Sequence, residues 1–180
     1  KCNQRYCIYP RIVGEKTRRM IEVYHGGTEP IKNPLVSAGR EGLDFGKGFY
    51  VTLLREQAEL WADRMARQRK GDKILSVYEL DIEAIRARYS YLFFPHYDAD
   101  WLNFIANSRT GKTPWKGYDC IEGGIANDRV IDMVEAYIAG TVTAEYALAE
   151  LSKHQPNHQI CILNQQAIDE CLHFKEAILC

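Results

Sequence analysis

Two short runs hold the residue types best able to do chemistry. In Tyr24-His25-Gly26-Gly27-Thr28 an imidazole stands beside two glycines. In Leu43-Asp44-Phe45-Gly46-Lys47-Gly48-Phe49-Tyr50-Val51-Thr52 a tyrosine follows a Gly-x-Gly turn. A histidine at a strand end can hold a sugar hydroxyl and orient the sugar. Glycines let a ligand approach the main chain, whose N–H and C=O together suit a carboxamide. A tyrosine ring can wall a pocket and stack on a planar ring, a gain of roughly 1 kcal/mol beyond burial. Such a pocket suits a flat heteroaromatic amide joined to a ribose. Each residue also has a plainer reading. His25 can be a strand histidine with satisfied nitrogens, and Tyr50 a core aromatic. Trp61, eleven residues after Tyr50, reads equally as the opposite wall or as core.

These residues need elements to position them. Met20 to Tyr24 alternates and reads as a strand ending at His25. Glu29 to Gly42, with two prolines and two glycines, reads as a loop. Phe49 to Thr52 is a short strand, and Thr52 stands near the N-terminus of a helix over Arg55 to Arg69. Lys73 to Asp81 is a strand, and Tyr89 to Phe94 a weaker one. Asp98 to Ser108 reads as a helix, Tyr118 to Glu122 as a strand stopping at Gly123-Gly124, and Asn127 to Ile138 as a helix. Thr143 caps a helix over Ala144 to Lys153, broken at Pro156. His158 to Leu163 is a strand, Gln165 to Leu172 a short helix, and Phe174 to Leu179 a last strand. Without regular βαβ alternation, an α+β domain with split antiparallel sheets and flanking helices fits better than a doubly wound fold.

The chain has 180 residues, 46% hydrophobic and 26% charged, with a formal net charge of -1. That suits one globular domain, with residues 1–19 as an N-terminal extension and 20–180 as the domain. The balance excludes a strong bias toward nucleic acid or membrane. The basic residues from Arg64 to Lys73 read most simply as a solvated helix face and its following turn, with a local basic groove as the alternative. Six scattered cysteines contain no Cys-x-x-Cys pair, so a zinc ribbon is not expected. Cys120, Cys161 and Cys171 read as buried thiols, while Cys2, Cys7 and Cys180 leave their pairing open. A reducing cytosol is favoured, with secretion as an effector still compatible. No apolar run approaches a membrane span. The start at Lys1 reads as a processed product, a trimmed piece or a domain of a longer protein.

There is no Gly-x-Gly-x-x-Gly and no Walker loop, and Gly46-Lys47-Gly48 does not open a helix, which argues against a helix-dipole phosphate site there. His154 and His158 straddle Pro156, so no metal site is expected. Asn127 or Asp128 reads as a helix cap. Alternatively, Asp128 or Arg129 faces the pocket, the aspartate to supply a carboxylate or the arginine to hold a pyrophosphate. Asp44 either caps the glycine turn or points toward an acceptor. Arg40 could reach phosphates or simply be solvated.

His25-Gly26-Gly27, Phe45-Gly46-Lys47-Gly48-Phe49-Tyr50 and Trp61 together resemble the signature of the diphtheria-toxin and poly(ADP-ribose) polymerase class of ADP-ribosyltransferases. The chain looks closest to a little-characterised bacterial family of that superfamily. Gln57-Ala58-x-x-Trp61-Ala62 and Gly124-Ile125-Ala126-Asn127-Asp128-Arg129-Val130 belong to the same likeness, which runs from about Val23 to Phe174. The resemblance implies NAD as substrate, without a metal. His25 would hold the ribose and Gly26 would clamp the nicotinamide amide. Tyr50 and Trp61 would sandwich the ring, with Gly27, Thr28 and Gly48 around it. Gly27 stands where the class has Ser or Thr, a contact that Thr28 could replace.

The class also places a glutamate on a late strand, and that position matches Gln159. An amide can bond the ribose 2′-hydroxyl but brings no charge. Losing such a term is worth roughly 3 kcal/mol, about a hundredfold in rate. The resemblance therefore implies transfer of a single ADP-ribose to an unknown protein or nucleic-acid acceptor. NAD glycohydrolysis, or NAD and ADP-ribose binding by a catalytically weak regulatory domain, are the alternatives. Toxin, phage-defence and effector roles, with an antitoxin or other regulatory partner, are all compatible.

Overall fold

The computed structural model describes residues 19–125, 128–154 and 157–180. Residues 1–18 of the expected N-terminal extension, with Cys2 and Cys7, and Asn127 and Pro156 lie outside the described residues, as do the side chains of Asp128 and Arg129.

The chain forms an α+β fold. Its strands are β1 (Met20–Gly27), β2 (Phe49–Thr52), β3 (Ile74–Asp81), β4 (Tyr91–Phe94), β5 (Cys120–Gly124), β6 (His158–Ile162) and β7 (Leu172–Leu179). The described helices are α1 (Arg55–Arg69), α2 (Ile82–Arg88), α3 (Ala99–Arg109), α4 (Asp128–Ile138), α5 (Ala144–Leu151) and α6 (Gln165–Cys171). The strands join in one seven-stranded sheet, in the order β4-β5-β6-β2-β1-β3-β7.

Two features depart from the sequence reading. First, β4 and β5 run parallel. Helix α3 carries the chain back between them, and a crossover of that length returns a strand in the same direction. Second, Ile82–Arg88 is a helix, started by Asp81, whose carboxylate accepts from the Ala84 N–H at 2.9 Å. Its apolar residues Ile82 and Ile85 are too few to show a helical period alone. At α1 the N-cap is Leu54, without a side-chain cap, and Thr52 two residues earlier accepts from the Leu54 N–H at 3.1 Å. Asp98 accepts from the Trp101 N–H and Thr143 from the Tyr146 N–H, each arrangement worth about 1 kcal/mol.

The sheet is thin at its centre. β1 and β3 pair along eight residues, from Met20↔Asp81 to Gly27↔Ile74. By contrast, β1 meets β2 at Tyr24↔Thr52. Pairing stops there, and the two strands part toward Gly27 and Phe49.

Both faces of the sheet are covered. Phe49, Val51, Ile160 and Ile162 pack with Ile82 and Ile85 of α2 and with Ala167 and Ile168 of α6. On the other face, Leu92, Phe94, Ile121 and Cys161 pack against Trp101, Leu102 and Ile105 of α3 and against residues of α4 and α5. Helix α1 lies over β1 and β3, with Ala58 against Leu75 and Val77. Cys120, Cys161 and Cys171 are buried free thiols. Burial disfavours the thiolate and pushes the Cys120 and Cys161 pKa values up.

Candidate functional site

The parting of β1 and β2 opens a cleft of about 510 Å³, bounded by the loop before β2 and by α1. That is within the range of small-molecule sites. His25, Gly26, Gly27 and Thr28 line one side. Gly48 and Tyr50 line another, with Gln159 beyond them. Arg40, Asp44 and Trp61 also line it, which leaves only Asn127, Asp128 and Arg129 of the residues that the sequence singles out.

His25 bridges the opened seam. Its Nδ1 lies 2.7 Å from the Tyr50 carbonyl oxygen. A carbonyl only accepts, so Nδ1 carries the proton and Nε2 of the neutral ring is an acceptor. The imidazole stacks on Phe49 at 4.7 Å between centroids. Burial lowers its pKa; the Tyr50 hydrogen bond opposes this, and the Arg40 charge adds to it. The ring is therefore neutral at pH 7. Nε2 faces the open flank of Gly27, where an added Cβ would lie 3.9 Å away.

Gly26 has a different reason to be glycine. A Cβ there would stand 2.0 Å from the Ala58 carbonyl oxygen and 2.8 Å from the Ala62 nitrogen. The missing side chain seats α1 on β1, with Ala58 and Ala62 as the facing small residues.

The turn before β2 is equally constrained. Gly46 has φ +88°, a conformation that favours glycine, and an added Cβ would meet the Trp115 ring at 2.6 Å. At Gly48 a Cβ would meet the Cys161 Sγ at 2.6 Å. The Tyr50 hydroxyl locks this turn, accepting from the Phe45 N–H at 3.1 Å and donating to the Gly46 carbonyl at 2.8 Å. Burial holds its pKa well above the usual phenol range, so it stays protonated. What Tyr50 offers a ligand is its ring. Tyr50→Phe is expected to lower stability by about 2 kcal/mol, through the orphaned turn groups, and to retain most ligand affinity. A urea titration beside a binding isotherm checks this.

Trp61 is not core: it is 38% exposed. The Arg40 and Arg64 guanidinium carbons lie 5.5 and 5.9 Å from its ring centroid. Arg40 is thus held at the cleft by a cation–π contact. Asp44 is 8% exposed, and its Oδ1 receives the Arg109 Nε at 2.9 Å and Nη2 at 2.7 Å. It is tied to α3 across the cleft wall.

Gln159 lies opposite Thr52 of β2 and Gly123 of β5. It is half-buried, and among the described residues its amide makes no hydrogen bond. Thr52 Oγ1 stands 2.7 Å from the Gln57 amide and 3.1 Å from the His158 carbonyl oxygen. Gln57 keeps a buried amide atom without a partner. Turning the amide exchanges which atom that is, and does not remove the vacancy. The neighbouring Glu122 carboxylate belongs to the opposite face. It shares that face with Ile160, and is bound by Tyr91 and by Arg86 at 3.2 Å.

Gln57, Arg69 and Arg109 are cleft residues to which the sequence reading gives no individual role at a site. A signal for two of them exists. Gln57, Trp61, Met65 and Arg69 follow one another at intervals of four, so one helix face carries them all. Arg109 has no such signal, because its partner lies 65 residues away.

Among the described residues, no three His, Cys, Asp or Glu side chains group as metal ligands. No described helix is long and apolar enough to cross a membrane. No curated protein and no solved structure matches the chain. Residues 21–174 match the model of the family described as protein of unknown function DUF3990. That span takes in β1, the cleft and β6, so the chain belongs to the DUF3990 family.

Proposed function

We propose that this domain is a mono-ADP-ribosyltransferase that cleaves NAD and passes ADP-ribose to a macromolecular acceptor. The observation that carries the reading is His25. Its Nδ1–H is spent on the Tyr50 carbonyl, so Nε2 is turned out as a fixed acceptor beside Gly27. That is the polarity a ribose hydroxyl needs from its partner. The ring of Tyr50 and the half-exposed Trp61 offer aromatic surface for nicotinamide. The sheet supports the same reading. Two limbs, β4-β5-β6-β2 and β1-β3-β7, join through Tyr24↔Thr52, as a split-sheet ADP-ribosyltransferase would require.

In the reaction, the bond between the nicotinamide nitrogen and ribose C1′ breaks. Its electron pair leaves with nicotinamide, and C1′ becomes oxocarbenium-like. A lone pair of the acceptor then forms the new bond to C1′, and the acceptor's proton passes to solvent. His25 orients the ribose through its hydroxyls. The Gln159 amide, free of protein partners among the described residues, can bond another. Being neutral, it adds little to stabilisation of the cation.

Labelled NAD incubated with the domain and cell lysates tests this. Nicotinamide release with label on macromolecules supports transfer, and release without label selects the glycohydrolase. Saturable binding with neither signal selects the regulatory reader, which the uncharged Gln159 favours. Absence of NAD binding overturns the reading. Gln159→Glu is expected to speed nicotinamide release about a hundredfold, equivalent to roughly 3 kcal/mol of transition-state stabilisation. An unchanged single-turnover rate would remove Gln159 from the reacting centre.

A further inference from the structure

We propose that Arg109, braced by Asp44, binds a phosphate group of the dinucleotide; this rests on the NAD reading above. Arg109 is the last residue of α3 and lines the cleft, its side chain still 27% exposed. Both Nε and Nη2 reach a single oxygen of Asp44, at 2.9 and 2.7 Å. A guanidinium has five N–H donors, so this pairing leaves donors unused. Among the described residues Asp44 is the partner Arg109 has. A buried carboxylate thus fixes the plane of the guanidinium while its remaining donors stay available.

Charge in the cleft points the same way. Arg40, Arg69 and Arg109 line it against Glu29 and Asp44. Asp44 is already committed to Arg109. Among the described residues neither Arg40 nor Arg69 forms an ion pair, and Arg40 lies against Trp61. The cleft therefore has a surplus of positive charge, although the whole chain is formally -1. A planar fork matches a phosphate by paired hydrogen bonds, which an ammonium cannot do.

The position also matters. Asp44 directly precedes the Phe45–Gly48 turn that Tyr50 locks. A phosphate held on Arg109 would be at a set distance from the aromatic wall, so phosphate recognition would place the nicotinamide ribose against His25. Asp44 is then a positioning residue, acting through Arg109.

The test compares two probes, NAD and nicotinamide riboside, which share the nicotinamide ribose and differ in the phosphates. Binding is measured calorimetrically at low and high salt for the native protein, Arg109→Gln, Arg109→Lys and Asp44→Asn, with thermal melts of each. Arg109→Gln is expected to weaken NAD binding roughly 10- to 100-fold and to flatten its salt dependence, with nicotinamide riboside unchanged within twofold. Arg109→Lys should recover the salt dependence and part of the affinity. Asp44→Asn should weaken NAD less than Arg109→Gln, with the salt dependence kept. An equal loss for both probes, or NAD binding within twofold of native in Arg109→Gln, overturns the proposal and leaves the NAD reading standing. Failure of the native protein to bind NAD overturns both.

Discussion

His25→Ala is expected to lower nicotinamide release at least about a hundredfold while the protein remains folded. The substitution removes the acceptor that would orient the ribose, and misplacement at a reacting centre carries losses of that size. Damage to the fold should be small. The imidazole stands in an opened seam, so the Tyr50 carbonyl it leaves behind can be reached by water. Nicotinamide release in single turnover, beside a thermal melt, separates the two effects. A native rate would show that the imidazole only props the strands apart.

The same residue sets a pH dependence. The folded-state pKa of His25 lies below the ordinary histidine value, chiefly through burial. The unfolded state therefore binds more protons as pH falls through the ordinary histidine range. The His25 contribution to stability is full above that range and declines as pH drops toward the folded-state pKa. Binding should weaken in the same direction, because protonation converts Nε2 from acceptor to donor. Denaturant midpoints at a series of pH values check the sign, and His25→Ala should lose that part of the slope.

Gly26→Ala is the substitution with the largest expected cost in stability, more than about 3 kcal/mol. The added Cβ would overlap main-chain atoms of Ala58 and Ala62, and backbone within a helix cannot rotate away as a side chain can. Helix α1 would have to lift from β1, carrying Gln57 and Trp61 out of the cleft wall. Gly27→Ala is the control. Its Cβ would have no neighbour nearer than 3.8 Å, so its cost should stay within about 1 kcal/mol. Urea midpoints for the two variants make the comparison. Equal costs would show that α1 is not seated through Gly26.

Much of the fold was legible because local patterns and long-range packing agree. Arg55–Arg69 and Phe49–Thr52 were readable to the residue, since helical recurrence and a glycine-bounded β-rich run are local signals. Thr143 announced a helix start through a side chain that caps within three residues, and Asp98, read as the first helical residue, turned out to be the cap itself. The parallel pairing of β4 and β5 was not legible. Strand direction depends on where α3 carries the chain, and no residue in either strand encodes it. Ile82–Arg88 was lost because a helix of that length shows barely two turns of pattern.

For the site, sequence alone determined the residue types: an imidazole beside paired glycines, a tyrosine after a glycine turn, and an amide on the late strand. Their chemistry is intrinsic to the side chains, and their order along the chain carried the likeness. Only the tertiary structure decided what each residue is free to do. It committed the Tyr50 hydroxyl to its own turn, left the ring, and filled the side-chain space of Gly26 with helix α1 while leaving its backbone at the cleft. It turned Glu122 to the opposite face and brought Arg109 to Asp44. These are contacts between residues remote in sequence. Hydrogen-bond capacity is finite, so a group's availability depends on partners that folding alone supplies.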